Sequence, residues 1–224
     1  MKVIKFIRYF SYLALKWEWS IARYVIIAEI RGEREYGIDT TGYDNLKALE
    51  KAGIDIYSAT LYMPAVYPLL EECLGLVPIS NRNHLVDIGC GKGRALCVAA
   101  AMGYQQLTGI DISEKLCKEA VKNLRITKHK YPSIQFEISS INALDFTIPN
   151  TVDSIFLFNP FDGSIMQEVV ANLLNSLEQY PRTIYIIYLN PIHKKYFLRA
   201  GFQEVHYTRT RLYLEASIFC KERV

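Results

Sequence analysis

The sequence predicts an α/β protein: a doubly wound, mostly parallel seven-stranded sheet with a C-terminal antiparallel hairpin, plus an N-terminal helical extension. Three observations lead there. From residue 84 onward, short β-prone runs alternate with helical patterns, as repeated β-α units require. A glycine-rich loop, Gly89-Cys90-Gly91-Lys92-Gly93, joins the first of those runs to the helix that follows. The chain closes on two alternating runs, Gln203–Thr208 and Leu212–Phe219, joined by Arg209–Arg211 as an antiparallel pair.

Taken in order, residues 3–30 read as helix because Phe6, Phe10, Leu13, Ala14, Trp17 and Ile21 recur every three to four positions. Lys2, Lys5, Arg8, Lys16 and Arg23 surround that stripe. A polar connector spans Gly32–Asn45, and a second helical pattern runs from Pro64 to Leu76. The first strand is His84–Ile88, and the helix Arg94–Met102 is stopped by Gly103. A strand over Gln106–Ile112 leads to Ser113, an N-cap for a helix over Glu114–Leu124. Strands follow at Ile134–Ser139 and Ser154–Phe158, then a helix over Ser164–Leu177, a strand over Thr183–Leu189, and a short helix over His193–Ala200 ended by Gly201. The division expected is a helical extension over 1–56 and an α/β domain over 57–224.

Composition narrows the class. A length of 224 residues suffices for one large α/β domain, and 50% hydrophobic with 22% charged residues is globular rather than disordered. A net charge of +3 is too small to imply nucleic acid as the partner, although a local basic patch keeps RNA open. The five cysteines, Cys73, Cys90, Cys97, Cys117 and Cys220, are odd in number and contain no Cys-x-x-Cys spacing. They read as reduced thiols of a cytoplasmic protein, and no metal-ligand set is assigned. The longest uncharged run near the N-terminus, Tyr9–Leu15, is bounded by Arg8 and Lys16. That is far short of the ~20 apolar residues of a spanning helix. The N-terminal helix is therefore expected to cover the domain or to self-associate, with peripheral membrane binding as the alternative.

The chemistry concentrates at the first strand and loop. Glycines there permit a tight turn and close approach of a ligand to backbone N–H groups at a helix N-terminus. The spacing is Gly-x-Gly-x-Gly followed by Arg94, whereas the nicotinamide fingerprint places its third glycine one position later. Asp87 stands two residues before Gly89, where a carboxylate would repel a pyrophosphate but attract a cation. Asp111 ends the next strand, 22 positions after Gly89 (111 − 89), at the distance expected of a ribose-binding acid. Its alternative reading is a cap for the helix near Glu114. Cys90 is not read as a nucleophile, because His84 lies at the far end of the preceding strand.

Val86-Asp-Ile-Gly-Cys-Gly-Lys-Gly-Arg94 with Gly109-Ile-Asp111 resembles the class I S-adenosylmethionine-dependent methyltransferases, and the similarity spans roughly residues 57–219. The resemblance implies S-adenosylmethionine as cofactor, with Asp87, Gly89, Gly91 and Gly93 around its methionine part and Asp111 on its ribose. Asn142, before Ala143, stands where the family often has an acid near the adenine amino group; its amide oxygen is still an acceptor. Tyr62-Met63-Pro64 is similar to a cofactor-covering segment of the protein-lysine methyltransferase subset. It reads equally as an aromatic staple before a proline at the first helical position.

The fourth strand ends in Asn159-Pro160-Phe161-Asp162, which resembles the Asn/Asp-Pro-Pro-Tyr/Phe motif of amino-group methyltransferases with one proline missing. The resemblance assigns Asn159, the Pro160 carbonyl and Phe161 to the methyl acceptor; the competing reading is a plain Asn-Pro turn. The activity implied is methyl transfer to nitrogen, a protein amine ahead of a small molecule or RNA. A nucleotide-binding oxidoreductase is opposed by the glycine spacing and Asp87, and a module without turnover by the intact Asn159-Pro160-Phe161. Asn190-Pro191 reads as a turn, His193 as a surface helix residue with a general base as the alternative, and Glu71 and Glu72 as solvated.

Overall fold

β1 (His84–Ile88) is buried along its whole length and lies within the sheet. The computed structural model describes residues 2–16, 19–42, 63–158, 161–209 and 214–223. The other strands are β2 (Gln106–Asp111), β3 (Gln135–Ser140), β4 (Ser154–Phe158), β5 (Ile184–Leu189), β6 (Gln203–Arg209) and β7 (Glu215–Lys221). They form a seven-stranded sheet in the order β3-β2-β1-β4-β5-β7-β6. The first five strands are parallel, while β7 runs antiparallel to both β5 and β6. This is the doubly wound architecture read from the sequence. The strand order reverses between β1 and β4, so the ligand crevice opens beyond the carboxyl ends of those two strands.

Successive residues on β1 face opposite layers: Leu85 joins the core beneath one set of helices and Val86 the core beneath the other. The first layer holds α1 (Lys2–Lys16), α2 (Trp19–Tyr36), α3 (Tyr67–Leu76), α4 (Arg94–Ala101) and α5 (Glu114–Lys130). The second holds α6 (Gly163–Gln179) and α7 (Lys195–Arg199). Ser113 caps α5 as expected, its Oγ accepting from Leu116 N at 3.4 Å.

The N-terminal region departs from its reading in two ways. The single helix expected over 3–30 is two helices, and α2 continues through Gly32 to Tyr36, into the stretch read as a connector. Gly32 is there for close approach: a Cβ on it would lie 2.3 Å from the Tyr67 ring. The expected boundary near residue 56 lies outside the described residues, as does Trp17 of the apolar stripe. Leu13 and Ile21 of that stripe are buried, and Phe10 and Ala14 are half-buried against the same core. The helix read as starting at Pro64 begins at Tyr67, with Pro68 in its first turn.

Two carboxylates on the inner face of α2 explain why a polar stretch is buried. Glu29 is fully buried and Arg94, directly after the glycine loop, is 3% exposed. Arg94 Nη1 and Nη2 donate to the two Glu29 oxygens at 2.6 and 2.5 Å, a bidentate pair. Arg94 Nε donates to Thr40 Oγ1 at 2.8 Å and Nη1 also to the Ala65 carbonyl at 2.6 Å, while the guanidinium lies 4.1 Å from the centre of the Tyr67 ring. Glu33 accepts from Thr40 N, Thr41 N and Lys5 Nζ. Glu71, read as solvated, is instead held by Arg31 Nη2 at 2.5 Å and by the Tyr36 hydroxyl at 3.1 Å, because α2 and α3 bring those groups together.

Removing one member of a buried, hydrogen-bonded ion pair strands the other without water. Glu29→Gln and Arg94→Met should each lower unfolding free energy in denaturant titrations by about 3–5 kcal/mol. Replacing both with apolar residues of similar volume should cost much less than the sum.

Candidate active site

The loop after β1 is built on three left-handed glycines: φ is +86° at Gly89, +52° at Gly91 and +76° at Gly93. Only glycine takes such angles without strain. Gly93 is constrained twice, since a Cβ there would lie 3.1 Å from the Ala120 Cβ on α5. The loop is tied to β2, with Gly89 N and Cys90 N both donating to the Ile110 carbonyl at 2.8 Å.

Asp111 closes this arrangement from the end of β2. Its Oδ2 accepts from Gly91 N and its Oδ1 from Ser113 N, both at 2.8 Å. The cap of α5 is Ser113, so the alternative reading of Asp111 as that cap does not describe it. Two N–H donors leave roughly half of a carboxylate's acceptor capacity unused. Asp87 is 3% exposed and pairs in register with Gly109 on β2 and Phe156 on β4. Burial first, and the nearby Asp111 carboxylate second, push its carboxyl well above the ordinary range. Burial likewise raises Asp111, against the lowering effect of its bonds from Ser113 and Gly91. Two desolvated acids at the strand ends make a mouth that favours a cation over a phosphate.

Cys90 is buried within the loop, and its thiol is pushed well above the usual range by its hydrogen bond to Cys117 and then by burial. His84 is engaged at the other end of β1 by Thr151 and Thr108. Both observations agree with the reading that Cys90 is not a nucleophile.

The remaining sequence-predicted positions are distributed as follows. Asn142 is exposed just beyond β3, and its Oδ1 accepts from Leu144 N at 3.0 Å, an Asx turn that occupies part of the amide oxygen. Phe161 is half-buried against the core under α6, and Asp162 caps that helix by accepting from Ser164 N and Ile165 N. Tyr62, Asn159 and Pro160 lie outside the described residues. Among the described residues no cluster of His, Cys, Asp and Glu is grouped as a metal site.

Sequence reasoning missed two features. Glu29 was passed over although it sits on the apolar stripe of α2 between Val25 and Gly32, the one signal that it is buried. His193 was read as a surface residue, but a Cβ on Gly163 would lie 3.3 Å from its ring and 3.1 Å from the Tyr196 hydroxyl. The two side chains therefore abut the start of α6, next to Phe161.

A doubly wound sheet with this strand order, a left-handed glycine loop and an acid at the end of each of two neighbouring strands defines the class of S-adenosylmethionine-dependent methyltransferases, and the acidic mouth fits a cofactor bearing a sulfonium and an ammonium. Residues 79–210, more than half of the chain, match the family model described as a methyltransferase domain, and the chain belongs to that family. Over 92 residues, 41% of this chain, it is 28% identical to the release factor glutamine methyltransferase of Fusobacterium nucleatum, covering 23% of that protein. Over 94 residues it is 27% identical to the ribosomal protein L11 methyltransferase of Aquifex aeolicus, covering 38% of it. The chain thus matches well under half the length of these two relatives. The crystal structure of an S-adenosylmethionine-dependent methyltransferase from Aquifex aeolicus superposes with a TM-score of 0.55 at 15% identity, over 79% of this chain and 98% of the other.

The raised Asp87 carboxyl has a signed consequence. Its protonated form is favoured in the fold, so the stability it contributes is present below the ordinary carboxylate value of 3.8 and is lost as pH rises through the elevated native value. The melting temperature of the ligand-free protein should fall across that window, and the fall should be smaller in Asp87→Asn. A cation beside Asp87 reverses the preference, so the thermal gain from added S-adenosylmethionine should grow with pH in wild type and stay flat in the variant.

Proposed function

We propose that this chain is an S-adenosylmethionine-dependent methyltransferase acting on nitrogen, with a protein or peptide amine as the first choice and a small-molecule or RNA nitrogen behind it. The observation that carries the reading is Asn159-Pro160-Phe161, directly after β4, the strand that pairs with β1 next to Asp87. An amide oxygen and a backbone carbonyl are both acceptors, and together they suit an N–H donor. The names of two relatives support a protein acceptor, since one acts on a release factor glutamine and the other on ribosomal protein L11. All five cysteines are buried free thiols, which suits a reducing cytoplasm.

When bound, S-adenosylmethionine supplies a methyl group on a sulfonium whose departure leaves a neutral thioether. Gly89, Gly91 and Gly93 would let the backbone turn tightly beside its methionine part, their own N–H groups being held by Ile110, Asp111 and Cys90, and Asp87 would offset its positive charge. Asp111 would use its remaining lone pairs on the ribose hydroxyls, and the resemblance assigns Asn142 to the adenine amino group and Tyr62 to covering the cofactor. Asn159 and the Pro160 carbonyl would accept from the acceptor N–H, leaving the nitrogen lone pair for the methyl group, and Phe161 would pack against the group that bears it. Rate then comes from alignment and from excluding water around an uncharged amine.

Asp111→Ala removes hydrogen bonds to a charged acceptor, each contributing about 1.5–3 kcal/mol, so calorimetric titration should show S-adenosylmethionine bound at least about tenfold more weakly. Unchanged affinity in a folded variant would dismiss the ribose assignment. Asn159→Ala should leave cofactor affinity nearly intact while lowering turnover, because its contact is to the acceptor. Labelled methyl transfer into a fractionated lysate, followed by mass spectrometry, identifies the receiving atom; an O-methyl or S-methyl product, or full activity in Asn159→Ala, would reduce the motif to a turn.

A further inference from the structure

The α1–α2 layer has an inner face, consumed by the core, and an outer face that nothing in the described chain covers. On α1 the outer stripe is Ile4, Ile7 and Leu15, and on α2 it is Trp19, Ile27 and Ile30. These are large exposures, 86% for Leu15 and 67% for Trp19, on helices whose other side is fully packed. Arg8 interrupts the α1 stripe, and Arg23 and Arg34 the α2 stripe, at the same helical spacing. All three arginines are exposed, and among the described residues none forms an ion pair. Of the described acids of these helices, Glu29 is held by Arg94 and Glu33 by Lys5, while Glu35 lies 3.9 Å from Arg31, outside the stripe that carries Arg23 and Arg34. The outer face is therefore both apolar and cationic.

We propose that this face docks the enzyme on an anionic lipid surface, with the isoleucines, Leu15 and Trp19 entering the headgroup boundary and the arginines meeting lipid phosphates. Charge complementarity selects this occupant. A second copy of the chain across a two-fold axis would set a stripe of unpaired arginines against itself. RNA would engage the arginines but leave the isoleucines in water. Among the described residues no helix is long and apolar enough to cross a membrane, so the mode is in-plane. Because Glu29 on α2 grips Arg94 behind the glycine loop, docking would fix the cofactor domain relative to the surface rather than tether it loosely.

The test uses the full chain in flotation with vesicles of phosphatidylcholine alone or mixed with phosphatidylglycerol, at low and high salt. Flotation is expected with the anionic vesicles, weakened by salt, and accompanied by a blue shift of tryptophan emission. Arg8→Glu combined with Arg23→Glu should lower vesicle affinity by about 30-fold or more while leaving S-adenosylmethionine affinity unchanged. Ile7→Ser with Ile27→Ser should also weaken flotation, which distinguishes insertion from simple charge attraction. No flotation, equal flotation on neutral vesicles, or indifference to both variants overturns the proposal. So does binding of polyuridylate that resists the serine variant, or a dimer that the serine variant dissociates.

Discussion

A guanidinium removed from water must have its donors met, and Arg94 meets them with groups from several parts of the chain: Glu29 on α2, Thr40 after it, and the Ala65 carbonyl ahead of α3. Arg94 is also the residue immediately following Gly93. Whatever holds its side chain therefore holds the exit of the glycine loop. The neighbouring Lys92 carbonyl accepts from Asn123 Nδ2 on α5, whose side chain also bonds Asp39 in both directions. The backbone of residues 38–42 is thus fastened across the loop by side chains from both flanking helices. Buried ion pairs add little net stability compared with apolar substitutes, but a mispaired one is costly. The pair therefore acts on arrangement: α2 can seat on the domain only in the register that brings Glu29 to Arg94.

The site works against that rigidity. Asp87, buried, and Asp111, half-buried, stand on adjacent strands; burial disfavours ionisation of both, and the Asp111 carboxylate adds to it at Asp87. In the ligand-free protein this arrangement is unfavourable, and the ordered backbone N–H donors to Asp111 only partly offset it. A cationic ligand turns the same feature to advantage. A desolvated acid pair, held beside an unstrained glycine turn by a scaffold that cannot relax, is preorganised for a cationic ligand.

The family match begins at residue 79, so α1, α2 and α3 lie outside it. They nonetheless share one hydrophobic core with Leu85, Phe156 and Ile187 of the sheet. The helices ahead of the family match thus share their core with the matched domain. Their inner face completes the scaffold around the glycine loop.

What the sequence determined by itself was local. Alternation of strand and helix patterns defined the fold class, the closing hairpin was written in Gln203–Thr208 and the run after it, and the glycine spacing with Asp87 and Asp111 marked the candidate cofactor crevice, because each depends on residues close together in the chain. Boundaries moved where a distant partner intervened: α2 runs on through Gly32 because the Tyr67 ring needs that space. Glu71 lost its expected solvation to Arg31 and Tyr36, between 35 and 40 residues away. The pairing of Glu29 with Arg94, 65 residues apart, was invisible for the same reason. A buried charge is announced only by its partner, and only the tertiary fold brings the two together.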